Sequence, residues 1–252
     1  MRLKLRKQLY LCALFFIAIF NFFKKMANKP KIPVKAFNEW QAEEVEKTFG
    51  VTRLKTLPLM DELLAIQAKK EHHSHHTTIE SYRKDADWRV EGWNTDEYKF
   101  LFIAPFLRLV NFTNVDFSVF TQRPMSVFYE NNTKQASGNV DFMLARGRQI
   151  PKEPRFFLHQ YKPEKHRDND PLGQLLIAMV SSQQLNKDEK PVYGIYINQQ
   201  NWFFVVLDGN KYAISRAYAI ATNAIFDLFA ALEFLREKMI EMYKPSIIAI
   251  GN

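Results

Sequence analysis

Between Trp93 and Tyr243 the spacing of apolar residues switches repeatedly between a helical period and strict alternation, and this constrains the chain more than any other feature. The segment Trp93–Val110 reads as a helix. Asn94 is its cap, Glu97 stands three residues on, and Tyr98, Leu101, Phe102, Phe106, Leu109 and Val110 form a stripe; Pro105 should bend it. Alternating stretches follow at Phe117–Glu130, Ala136–Ala145 and Arg155–Lys162, with turn signals at Asn131-Asn132 and Gly147–Pro154. A helix over Pro171–Leu185 opens on Asp170 as cap and Pro171 as first residue. Strands over Val192–Ile197, Trp202–Leu207 and Lys211–Ser215 and a long helix over Asn223–Tyr243 complete the series. Three strands in succession are most simply an antiparallel meander, and helices interleaved with strands indicate an α/β domain.

Ahead of this domain, residues 26–92 read as an N-terminal helical extension. Phe37–Phe49, Leu59–Glu71 and Thr78–Val90 each carry apolar residues at helical spacing, broken by Gly50 and Leu57-Pro58. The run from His72 to His76 puts two histidines at helical spacing. No cysteine, aspartate or glutamate at ligand spacing completes a metal set, so the histidines read as solvated. Residues 244–252 are a tail.

Residues 1–25 read as a leader: a basic start, then the apolar run Leu9–Phe20 and two lysines. That run is shorter than the roughly 20 residues a membrane-spanning helix needs, and no small-residue cleavage site follows it. The leader is thus a mis-assigned start ahead of Met26, a signal-like segment or a short membrane anchor. The first alternative makes the protein cytoplasmic and the last membrane-associated. Of the 35 basic residues, six lie in the leader with no acid among them, leaving 29 against 27 acidic residues, so the net charge of +8 falls to about +2 in the remainder. A phosphate-binding surface on the folded part must therefore be a local patch. Cys12, the only cysteine, also lies in the leader, so the folded part has neither disulfide nor thiolate chemistry.

The chemistry-bearing residues fall on the second and third strands of the meander. Alternation sets Asn139, Asp141 and Met143 on one side and Val140, Phe142 and Leu144 on the other, and puts Gln160 and Lys162 on one face of the next strand. A carboxylate on one strand and a polar-x-lysine pair on its neighbour would converge on one volume. That suits a hard divalent cation, which takes oxygen ligands, with an ammonium beside it to hold a water or a phosphate oxygen.

In this order, helix with Glu97, strands, Gly138-Asn-Val-Asp141, Phe156-Phe-Leu-His-Gln-Tyr-Lys162, then Asp170-Pro-Leu-Gly-Gln174, the sequence resembles the PD-(D/E)XK nuclease superfamily. It is most similar to that superfamily's small uncharacterised bacterial members, through Trp93-Asn94, the Gly138–Asp141 turn and Asp170–Gln174. The resemblance covers roughly residues 93–216 and places the nuclease-like domain at 93–243. It implies a restriction-endonuclease-like mixed four-stranded core sheet flanked by helices, and Mg²⁺- or Mn²⁺-dependent hydrolysis of phosphodiester bonds in nucleic acid, DNA before RNA. Asp141 would be the metal carboxylate, Gln160 would stand at the usual Glu position, Lys162 would be the catalytic lysine, Glu97 a further metal ligand and Gln174 a substrate contact. Gln160 departs from the family pattern: its amide offers an oxygen but no charge, so metal affinity falls unless Glu97 or Glu164 supplies it. A catalytically inactive module of the same fold, binding nucleic acid or a protein partner, and a membrane-tethered interaction protein are the alternatives.

Overall fold

Nine strands hydrogen-bond into one mixed sheet, in a chain whose computed structural model describes residues 32–66, 75–113, 117–152, 154–158 (backbone only) and 170–243. One side of the sheet is the predicted meander. Strand β3 (Phe117–Tyr129) pairs antiparallel with β4 (Lys134–Arg146), and β4 pairs antiparallel with β5 (Pro154–Leu158). The β3–β4 turn is built from Glu130, Asn131 and Asn132, all at positive φ. Asparagine visits that region more readily than most residues, which is why the Asn-Asn pair signalled the turn. From β5 a crossover helix leads to β6 (Val192–Asn198), which lies parallel to β5. An antiparallel series β6, β7 (Asn201–Asp208) and β8 (Lys211–Ile214) follows, and β9 (Tyr218–Ala219) also pairs with β7. Pro124 sits inside β3 because, among the described residues, that strand is paired only with β4, so a residue without an N–H is tolerated there.

Two further strands come from the segment expected to be purely helical. β1 (Val34–Ala36) pairs in parallel with the first part of β4, and β2 (Thr52–Arg53) pairs in parallel with β8. Residues from Val34 onward therefore belong to the same compact unit as the rest of the sheet. Strands of two and three residues have no period to read, and this hid them in the sequence.

Helices cover both faces. On one face, α1 (Ala42–Phe49) and the crossover helix α6 (Pro171–Asn186) bury Phe37, Trp40, Val45, Leu175, Leu176 and Met179 against Val140, Met143, Val205 and Leu207. On the other lie α2 (Pro58–Leu64), α3 (His76–Arg89), a helical stretch beginning at Asn94, and α7 (Ala224–Met242). They bury Met60, Ile79, Phe106, Phe229 and Leu232 against Leu144, Ile195, Trp202 and Phe204. Asp170 ties α1 to α6: one oxygen caps Leu172 N at 3.0 Å, and the other accepts from Ala42 N at 2.7 Å. Gly173 allows that approach, since a Cβ there would lie 2.4 Å from the Trp40 carbonyl oxygen.

Residues Gly138–Asp141 run inside β4, as the expected strand Ala136–Ala145 has them, and do not form the turn that the resemblance names. The glycine is required there because a Cβ would meet the Phe37 ring at 2.6 Å.

Candidate functional site

The helix that opens at Asn94 carries its capping box as expected. The Asn94 side chain accepts from Asp96 N and Glu97 N at 3.0 Å, and the Glu97 carboxylate accepts from Asn94 N at 2.8 Å. After α4 (Thr95–Tyr98) the helix widens into a π-helical turn over Lys99–Ile103 before resuming as α5 (Ala104–Val110). Pro105 has no N–H to give the Leu101 carbonyl, and the helix accommodates this by letting Ala104 N–H reach back five residues to the Lys99 carbonyl. The additional residue rotates the rest of the helix about its axis. Leu101, expected in the buried stripe, is 49% exposed, while Ile103 and Leu107 turn inward. A column of rings, Trp93, Tyr98, Phe102 and Phe106, runs along the buried side at 5.4–5.8 Å spacings. Tyr98 fixes the column to the sheet by accepting a 2.9 Å hydrogen bond from the Trp202 indole.

Facing this π turn, β3 and β4 break their alternation at the same level. Ala136 and Val140 face the α1–α6 side, whereas Phe142 and Leu144 face the other and Met143 and Ala145 return to the first. The step falls at Asp141. Asp141 and Phe142 therefore line one cleft together, and Met143 lies in the opposite core instead of beside Asp141 as regular alternation predicts. Opposite Asp141, bracketed by the pairs Thr121↔Phe142 and Arg123↔Val140, stands Gln122 with φ 52°, a conformation that costs a non-glycine residue about 1–3 kcal/mol. Thr121 and Gln122, adjacent in sequence, also line the same cleft.

The cleft has a volume of about 340 Å³ and lies between the π turn, α5 and the β3–β4 pair. At one part of it the Asp141 carboxylate, only 10% exposed, accepts a 2.5 Å hydrogen bond from the Gln122 amide and stands 3.4 Å from the Lys99 ammonium. Lys99 is the first residue of the π turn, so the helix irregularity and the strand irregularity meet at one oxygen.

Of the residues the sequence singled out, Asp141 occupies this cleft. Glu97 does not line it; its carboxylate serves the cap, and Lys99, two residues on, is the group that reaches Asp141. Gln174 is half-buried in the first turn of α6, a helix that packs on the other face of the sheet. Gln160, Lys162 and Glu164 lie outside the described residues, as do His72 and His73. His75 and His76 pack against Phe229 and Phe226. Sequence reasoning missed Lys99 and Gln122. The proline six residues after Lys99 carried a trace of the first, and nothing marked the second.

Among the described residues no group of three or more His, Cys, Asp and Glu side chains stands together. The donors at Asp141 are nevertheless of the kind a hard cation takes, a carboxylate and a side-chain amide. Magnesium ordinarily uses one or two carboxylates, keeping waters and substrate phosphate oxygens for the rest. Asp141 and Gln122 are the described residues that would hold it.

No helix among the described residues is long and apolar enough to cross a membrane, and the leader lies outside them. No protein-family model matches the sequence, and no curated protein does.

Proposed function

We propose that this chain is a metal-dependent nuclease-like protein of restriction-endonuclease-like fold that hydrolyses phosphodiester bonds of DNA or RNA, with Asp141 at its centre. The observation that carries this reading is the placing of Asp141. Its carboxylate is nearly buried at the wall of a cleft, on the second strand of a helix, three-strand meander, helix, parallel strand series. The order supports the resemblance carried by Asp141, Gln160 and Lys162, the last two following β5 by two and four residues in sequence. A bound Mg²⁺ or Mn²⁺ would stabilise charge on the phosphate and lower the pKa of a water. The chain's own contribution is to hold the Asp141 carboxylate with Gln122 and to offer Lys162 as the ammonium that orients the attacking water.

A second reading is a module that kept the fold and binds nucleic acid without cleaving it. It is favoured by the ion pair with Lys99, which already supplies a positive charge to the carboxylate. Incubating single- and double-stranded DNA and RNA with the protein in Mg²⁺ or Mn²⁺ separates the two. Cleavage that disappears in Asp141→Ala supports the nuclease. If the protein is inert over a range of both metals while Asp141→Ala binds nucleic acid as tightly as wild type, the binding module stands.

A further inference from the structure

The cleft is larger than one carboxylate needs, and its walls differ from its edges. Ile103, Leu107, Val119 and Phe142 give it apolar sides, contributed from a helix on one flank and a strand pair on the other. Asn111, Thr113, Thr121 and Gln122 add groups that both donate and accept hydrogen bonds, and Arg108 adds positive charge beside the Lys99–Asp141 ion pair. A ligand matching all three features has apolar faces, a hydrogen-bonding edge and an anionic attachment. An aliphatic chain would leave the polar edge unsatisfied, and a free phosphate would leave the apolar walls wet. Three backbone irregularities also converge on this one volume: the π turn at Lys99–Ile103, the positive φ of Gln122, and the alternation step at Asp141. Each deviates from the conformation its neighbours favour, and such deviations persist where the surrounding fold holds them for a purpose.

Resting on the nucleic-acid reading above, we propose that the cleft receives a single unpaired nucleobase of the substrate strand, against Phe142 and Leu107, with the strand's phosphate toward Arg108. The substrate class is therefore single-stranded nucleic acid, or an end or lesion at which one base leaves the stack. A cleft of about 340 Å³ walled on both flanks admits one heterocycle and its sugar, not a base pair.

The test uses the full chain in EDTA, so that binding is read without cleavage. A fluorescein-labelled single-stranded 12-mer, the same strand in duplex form, and a single strand carrying abasic sites are titrated by anisotropy. Wild type should bind the single strand at least tenfold tighter than the duplex or the abasic strand, the scale of one stacked base. Ala104→Phe and Val119→Trp fill the cleft from its two flanks, at positions exposed enough to accept the larger side chain without refolding the core. Each should weaken single-strand binding on the order of tenfold while the far-ultraviolet spectrum and Tm stay at wild-type values. Equal affinity for single strand, duplex and abasic strand, unchanged binding in both filled variants, or no binding to any of them overturns the proposal. If Asp141-dependent cleavage persists in Mg²⁺ while these binding differences are absent, the base cleft is wrong and the nuclease stands; if the differences appear with no cleavage in any metal, the reverse holds.

Discussion

Lys99 shows how one side chain sets what a neighbouring carboxylate will accept. Its ammonium lies 3.4 Å from Asp141 and is about one third exposed, so the pair is screened and contributes at most about 1 kcal/mol. A divalent cation arriving at Asp141 has to compete with that charge, and the amide of Gln122 leaves with it or turns its oxygen toward the metal. Lys99→Met removes the competitor while keeping the length of the chain. Mn²⁺ should then bind about fivefold more tightly, the equivalent of about 1 kcal/mol, as read by the free-Mn²⁺ signal in electron paramagnetic resonance. Weaker or unchanged binding would mean that Lys99 supports the metal site or stands outside it.

At the scale of elements, the sequence and the structure agree where periodicity is long and part where it is interrupted. The capping residues Asn94 and Asp170, the Asn131-Asn132 turn and the strands from Val192 to Ile214 were legible because their signals are local: caps, turn residues and alternation. The face of Asp141 was not, because alternation was extrapolated through a step that tertiary packing imposes on β3 and β4 together. Nor was the loss of Leu101 from the buried stripe, since a proline signals a bend without saying whether the helix kinks or widens. The pairing of β1 with β4 was equally invisible, yet it explains Gly138, whose side-chain space is filled by the Phe37 ring just after β1. Gly138→Ala should destabilise the protein by about 1–3 kcal/mol in urea denaturation. Combined with Phe37→Ala, which opens the space, the two losses should fall short of their sum; simple additivity would place the clash elsewhere.

For the molecule as a whole, the sheet is covered so completely that several phenols are held away from water. Burial pushes Tyr193 and Tyr196 up to about 12, and Tyr212 is raised as well, by burial first and then by its bond to Glu46. An unfolded tyrosine ionises near pH 10, so the stability these groups carry is complete below about pH 10 and is lost as the pH climbs through about 12. Tm followed by circular dichroism should hold steady up to about pH 10 and then fall. Tyr193→Phe combined with Tyr196→Phe should make the fall between about pH 10 and 12 shallower, and a fall of unchanged steepness would assign the alkaline transition to other groups.

The pairing of β2 with β8 joins Thr52 to Lys211, about 160 residues further along the chain, and Ala42 waits for Asp170 to cap it. On a ribosome adding about 5–20 residues per second, β2 is finished roughly 8–30 s before its partner strand is made. Phe37, Trp40 and Val45 in turn have no sheet to cover them until β3 and β4 are made. β2, made well before β8, is thus among the last strands to be paired.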